Sequence, residues 1–142
     1  MKLNWNLIAV LDPAREKLLF CLRRKEPYKG LYNFVGGKIE PGEDGPSAAY
    51  RELWEETGIT QNDITLHSVM VLDYPLDSIH MEVYAGRLNH PVKVHGEEND
   101  LFWLPLTENF FDLTRFAGHG NIGHIVWEIL QDRTLNLADI QD

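Results

Sequence analysis

Residues 37–59, GKIEPGEDGPSAAYRELWEETGI, join a glycine-rich loop to an amphipathic helix that carries glutamates along one side. The helix is predicted to begin at Pro46, because proline suits the first helical turn, and to end at Thr57, just before a terminating Gly58. At about 100° per residue, the glutamates share one side and the apolar residues lie roughly opposite, where they can pack on a sheet. The acidic residues are Glu52, Glu55 and Glu56, and the residues predicted to pack are Tyr50, Leu53, Trp54 and Thr57.

These glutamates are electrostatically unfavourable in their positions. Like charges three or four residues apart repel, and carboxylates in the last turn oppose the helix dipole. A bound divalent cation would turn the repulsion into ligation, because Mg²⁺ prefers carboxylate oxygens. The alternative is an acidic face that is simply solvated. The preceding glycines, which let backbone groups approach a ligand closely, favour the metal site.

The flanking sequence predicts strands interrupted by helices. Residues 12–17 separate two apolar runs and predict an opening hairpin. Apolar residues at helical spacing predict a second helix over Asn121–Gln131. This order predicts a mixed α/β sandwich (α+β) and not a regular doubly wound sheet. The predicted strands cover 7–11, 18–22, 31–35, 65–73, 79–88 and 101–104.

Composition restricts the class of protein further. The 142 residues, 44% of them hydrophobic and 25% charged, fit one domain over 1–142. No apolar run is long enough to span a membrane, the N-terminus lacks a signal peptide, and the single Cys21 suits a reducing cytoplasm. A net charge of −9 disfavours nucleic-acid polymers, which need a basic surface. We therefore expect a cytoplasmic protein with a small-molecule partner, neither polymer nor membrane.

The acidic helix and its loop resemble the signature of the Nudix hydrolases, the MutT-type superfamily. Each defined position of that signature holds an expected residue type: Gly37, Glu43, Arg51, Glu52, Leu53, Glu55, Glu56, Gly58 and Ile59. The resemblance implies a Nudix-type α/β/α sandwich with a mixed sheet and a catalytic loop–helix–loop. It also implies that Mg²⁺, or Mn²⁺, supports hydrolysis of a diphosphate bond in a nucleoside diphosphate linked to another group. A homodimer is expected by analogy with the family.

The resemblance assigns roles to individual residues. Glu55 and Glu56 would be the principal metal ligands, and Glu52 a third ligand or a base for water. The carbonyl of Gly37 would be a further ligand. Arg51 would orient the glutamates and pair with Glu43, although a purely structural ion pair is an equal alternative. The implied metal ligands are thus Gly37, Glu52, Glu55 and Glu56.

A glutamate outside the signature is the expected general base in many members of the family. Glu97 and Glu98 lie in a suitable loop ahead of a late strand, and we choose Glu98 on position alone. Either residue is equally well explained as a solvated loop acid.

The resemblance indicates the type of bond that is hydrolysed more firmly than it indicates the substrate. Aromatic residues before Gly-Gly-Lys resemble the branch that cleaves nucleoside triphosphates, including oxidised purine nucleotides, although Tyr32 and Phe34 could equally be core residues. Pro75 resembles a proline of ADP-ribose pyrophosphatases and Tyr74 a tyrosine of dinucleoside polyphosphate hydrolases, although Tyr-Pro also opens ordinary turns. The predicted substrate-binding residues are Lys38, Asn33, Phe34 and Asn121, with His119 as an alternative to Asn121.

We therefore expect a nucleoside triphosphate pyrophosphohydrolase that releases a monophosphate and pyrophosphate. ADP-ribose or nucleotide-sugar hydrolysis is the second reading. A non-catalytic nucleotide sensor is the third, and the intact Glu52, Glu55 and Glu56 disfavour it.

Overall fold

The computed structural model describes residues 3–131, which form six strands and two α-helices. A short 3₁₀ helix over Pro75–Asp77 joins the fourth and fifth strands. In chain order the elements are β1 (Leu3–Leu11), β2 (Lys17–Leu22), β3 (Tyr32–Asn33), α1 (Gly45–Thr57), β4 (His67–Tyr74), β5 (Ile79–Arg87), β6 (Asp100–Pro105) and α2 (Asn121–Gln131).

The strands within residues 3–131 make one mixed sheet in the order β3-β2-β1-β5-β4, with β6 paired to β2. At its centre β1 and β5 run parallel, and β1 meets β2 only at the hairpin end, where Leu11 faces Leu18. The pairs β2–β3, β2–β6 and β4–β5 are antiparallel. The predicted mixed α/β sandwich is therefore confirmed.

Each helix covers one face of the sheet, as the alternation of side chains along β1 shows. Ile8 and Val10 belong to the apolar cluster that contains Ala49 and Leu53 of α1. Ala9 and Leu11 belong to the cluster that contains the buried isoleucines of α2 and Val126. Neither helix in the described part of the chain is long and apolar enough to cross a bilayer.

Helix α1 starts and stops where its sequence indicates. Asp44 caps it, accepting a hydrogen bond from the Ser47 backbone N–H at 2.7 Å, and Pro46 lies in the first turn. Gly58 ends it in the left-handed conformation with φ 83°, and its N–H donates to the Trp54 carbonyl at 2.9 Å.

The packing face of α1 differs from the predicted one at a single large residue. Ala49, Leu53 and Thr57, spaced four residues apart, are buried against the sheet together with Ala48. Trp54, predicted to pack, is 59% exposed. Trp54 lies about 100° around the helix from Leu53, outside the buried face. The half-buried Glu56 borders that face on its other side.

The glycine-rich segment before α1 is attached to β1. The predicted strand 31–35 is shorter than expected, because the Asn33 side chain accepts the Phe34 N–H at 2.8 Å and the chain then leaves β2. From there it runs antiparallel to β1, with Ile8 paired to Val35 and Trp5 to Lys38. This pairing places Gly37 against Glu52, in the second half of the acidic helix.

Candidate active site

Arg51 of α1 joins the glycine-rich loop to the acidic side of the helix. Its Nε and Nη2 donate to the two carboxylate oxygens of Glu43 at 2.7 and 2.9 Å, and Nη2 also reaches the Lys38 carbonyl at 3.0 Å. Its Nη1 donates to Glu52 at 3.1 Å and to Glu55 at 3.2 Å. These bonds lower the pKa of Glu43 to about 2 and raise that of Arg51. The implied pairing of Glu43 with Arg51 is therefore present.

Glu56 lies at the buried end of the acidic side. Its pKa is raised to about 8, first by burial and then by the charge of Glu52, and the backbone N–H of Gly36 opposes this increase. The pKa of Glu52 is also raised by burial, although Arg51 opposes that change. Two carboxylates therefore meet in a partly dry site where they resist simultaneous ionisation.

Gly37 lets the loop approach these acids closely. A Cβ built on Gly37 would lie 2.4 Å from the carboxyl carbon of Glu52. Any side chain here would therefore displace Glu52. The Gly37 carbonyl, a predicted metal ligand, accepts the Asn6 N–H at 2.8 Å.

The loop before β6 brings a further carboxylate to the site. The His95 N–H donates to the carbonyl of Thr57, at the end of α1, at 2.9 Å. Beyond that anchor, the charge of Glu98 is one of the causes that raise the pKa of Glu56. Glu98 is exposed, so it acts on Glu56 through its charge from the surface of the protein.

The donor set fits a hard divalent cation by its chemistry, since it consists of carboxylate and backbone oxygens. Repulsion between Glu52 and Glu56 is what such a cation would relieve. Across residues 3–131, no three His, Cys, Asp or Glu side chains already stand in chelating positions. Glu55, 48% exposed, is turned toward Arg51 instead.

The residues predicted to bind substrate divide into two groups. Lys38 lies beside the site, with its ammonium 5.8 Å from the centre of the Trp5 ring. Asn33 is half-buried and turned back onto its own backbone. Phe34 is 2% exposed and stacks on Phe20 at 4.9 Å between ring centres. Its side chain is thus a core residue, as the alternative allowed, and offers no face to a bound base.

Asn121 stands at the start of α2, away from the acidic helix. Its Nδ2 donates to the Tyr74 hydroxyl at 2.6 Å, which connects α2 to the end of β4. His119, its alternative, packs edge-on against Tyr28 at 5.8 Å. The structure therefore places these residues in a second region, next to the Tyr-Pro turn.

Sequence reasoning missed one contributor, Asn6. It lies ahead of the predicted strand 7–11 but inside β1, and its Oδ1 accepts the Gly37 N–H at 2.9 Å. The one available signal was a polar residue at an inward position of the alternating pattern of β1.

Comparison with known proteins identifies the family. The model of the NUDIX domain matches residues 2–122. A mouse protein named oxidized purine nucleoside triphosphate hydrolase is 25% identical over 137 residues, covering 81% of this chain and 83% of its own.

Two solved structures share the fold. A MutT structure from work on Aliivibrio salmonicida and Vibrio cholerae has a TM-score of 0.72 at 22% identity, covering 93% of this chain and all of that one. The NUDIX domain of Shewanella oneidensis NrtR, solved with ADP ribose, has a TM-score of 0.72 at 15% identity, covering 92% and 88%.

The protein belongs to the NUDIX domain family, and the class that its fold and acidic helix define is the Nudix hydrolases. Its mixed α/β sandwich is the fold that the sequence resemblance implied.

Proposed function

We propose that the protein is a divalent-cation-dependent nucleotide pyrophosphohydrolase. The observation that carries this proposal is the half-buried pair Glu52 and Glu56, whose charges repel each other and of which Glu52 is packed against Gly37. Such a pair gains most from a cation that takes its oxygens as ligands. Mg²⁺ is the expected cation, and Mn²⁺ an alternative of the same chemistry.

The residues of the chain would divide the work of hydrolysis. Glu52 and Glu56 would hold the cation, with Glu55 joining them once it leaves Arg51. The bound cation would neutralise phosphate charge and lower the pKa of a water. Glu98, whose charge acts on Glu56 from the surface of the protein, would accept the proton of the attacking water.

The proposed substrate is a nucleoside triphosphate, normal or oxidised, which yields a monophosphate and pyrophosphate. Similarity to the mouse oxidized purine nucleoside triphosphate hydrolase over most of both chains supports this choice. Lys38 is proposed to contact phosphate, and Asn33 and Asn121 a base edge. We propose no contact for the Phe34 side chain, because it is buried.

ADP-ribose is the second candidate, since Pro75 follows Tyr74 at the turn beside Asn121 and a structural relative was solved with ADP ribose. That relative is 15% identical, so it supports the fold more than the substrate.

A nucleotide panel with Mg²⁺ tests the proposal. It contains normal and oxidised deoxynucleoside triphosphates, ADP-ribose, a nucleotide sugar and a dinucleoside polyphosphate, with products separated by chromatography. We expect monophosphate and pyrophosphate from a triphosphate, and no turnover in excess EDTA. AMP and ribose phosphate from ADP-ribose alone would move the assignment to the second candidate. Turnover that persists in EDTA would refute the cation requirement.

A further inference from the structure

Asn6 of β1 binds both backbone polar groups of Gly37. The Asn6 N–H donates to the Gly37 carbonyl at 2.8 Å, and the Gly37 N–H donates to Asn6 Oδ1 at 2.9 Å. Ordinary strand pairing would supply a backbone bond without any help from a side chain. The amide oxygen therefore fixes the loop at a point where the backbone alone would leave an N–H without a partner.

The Asn6 amide is held at an energetic cost. Asn6 is 1% exposed, and within residues 3–131 its Nδ2 has no hydrogen-bond partner. The Gly37 N–H requires an acceptor, so it fixes which end of the amide faces the loop and leaves Nδ2 turned away. An apolar side chain would remove the buried Nδ2 donor but would leave the Gly37 N–H without its acceptor, so the amide keeps the loop attached at the cost of one unpaired donor.

The segment that Asn6 holds is also the segment that touches the acids. Gly37 is packed so tightly on Glu52 that a Cβ would approach its carboxyl carbon to 2.4 Å. The neighbouring Gly36 N–H also acts on Glu56, whose pKa it lowers. Gly37 thus lies directly between the Asn6 amide and the Glu52 carboxylate, and Gly36 is the adjacent residue of the loop.

We infer that Asn6 is a positioning residue that sets the cation affinity of the Glu52–Glu56 site through Gly36 and Gly37. The inference rests on the proposed function, because it requires these carboxylates to bind a divalent cation. Asn6 acts on the carboxylates indirectly. Its effect is to hold the Gly37 backbone in its place against Glu52.

The test compares Mn²⁺ binding, measured by electron paramagnetic resonance of free Mn²⁺, in the parent protein, Asn6→Leu and Val10→Ala. Leucine matches asparagine in size but accepts no hydrogen bond. Val10 is fully buried on the same strand and the same face, so Val10→Ala reports general loosening of β1. Thermal melts of all three proteins show how stability changes. Asn6→Ser, which is smaller, replaces Asn6→Leu if leucine prevents folding.

We expect Asn6→Leu to weaken Mn²⁺ binding by about tenfold or more, in line with other residues that orient metal ligands. We expect Val10→Ala to lower the melting temperature and leave Mn²⁺ affinity unchanged. Hydrolysis by Asn6→Leu should recover when Mn²⁺ is raised to saturation. Parent-like affinity in Asn6→Leu, or equal losses in both variants, would overturn the inference. A parent protein that binds no Mn²⁺ would instead overturn the proposed function.

Discussion

Arg51 forms a bidentate ion pair with Glu43, with Nε and Nη2 lying 2.7 and 2.9 Å from the two carboxylate oxygens. The same guanidinium reaches Glu52 and Glu55 through Nη1. The planar guanidinium of Arg51 cannot move toward one of these carboxylates without moving away from the others. The geometry of the loop and the geometry of the acids are therefore coupled through one side chain.

Glu43→Gln should lower hydrolysis by about 10- to 100-fold, because a neutral amide cannot hold Arg51 by two charged bonds. Steady-state kinetics at saturating Mg²⁺ measure the loss. Glu128→Gln, on the exposed side of α2, is the matched control and should behave as the parent. Equal activity of Glu43→Gln and Glu128→Gln would reduce the pair to a structural contact.

Glu43 should also contribute to resistance against acid. Hydrogen bonds from Arg51 and from the Glu40 N–H lower its pKa from 4.5 to about 2. A carboxyl whose pKa is lower in the folded protein stabilises it above pH 4.5, and that contribution is lost as pH falls toward 2. Urea unfolding between pH 6 and pH 3 should therefore show a shallower loss of stability in Glu43→Gln than in the parent. A parallel pH dependence in the two proteins would contradict this assignment.

Glu56→Gln should abolish turnover without unfolding the protein. The substitution removes a proposed cation ligand, and it also removes a buried carboxyl that repels Glu52. In excess EDTA at pH 9, the variant should therefore melt at or above the temperature of the parent. A folded Glu56→Gln that hydrolyses nucleotide like the parent would remove this residue from the site.

Glu98 and Glu97 offer a neighbouring pair in which one member is the test and the other the control. Glu98 acts electrostatically on Glu56 and is the proposed base. We expect Glu98→Gln to lower kcat by about 100-fold or more, and Glu97→Gln to leave kcat near the parental value. Rapid-quench measurement of a single turnover separates chemistry from product release. The reverse ranking would transfer the role to Glu97.

Tyr74→Phe should alter nucleotide preference and not the chemical step. The Tyr74 hydroxyl accepts Asn121 Nδ2 at 2.6 Å, so its removal frees the amide that we propose to contact the base. We expect KM for the preferred nucleotide to rise about fivefold with kcat unchanged. Tyr50→Phe removes a hydroxyl that accepts the Leu66 N–H and should leave preference unchanged. An unaltered preference in Tyr74→Phe would exclude Asn121 from base recognition.

Local sequence signals predicted the parts of the fold that depend on local chemistry. Pro46 and Gly58 indicated the two ends of helix α1 because the backbone preferences of proline and glycine are properties of single residues. Trp54 was placed wrongly, because a helical wheel gives only angular position. Which sector is buried depends on where the sheet lies, and that is set by residues distant in sequence.

The candidate site could likewise be predicted only where it depends on residues close together in the sequence. The acids and Arg51 stand in one contiguous motif, so their proximity follows from helical spacing. The contributions of Asn6 and Gly36 depend on the path of the loop, which leaves β2 and pairs with β1. No local sequence pattern indicates which of the two strands the loop pairs with. The burial of Phe34 follows from that crossing as well, since it turns the ring toward Phe20.

The parallel pairing of β1 with β5 has a consequence for synthesis of the chain. The strand that anchors the catalytic loop is made first, yet its central partner begins only at Ile79. Pairing two strands that lie so far apart in the sequence is entropically unfavourable and slow, and it cannot begin before β5 has been synthesised. A ribosome-bound chain that ends before β5 therefore carries the whole acidic motif while β1, to which the loop is attached, lacks its central partner. We expect hydrolytic activity to appear only after β5 has emerged from the ribosome.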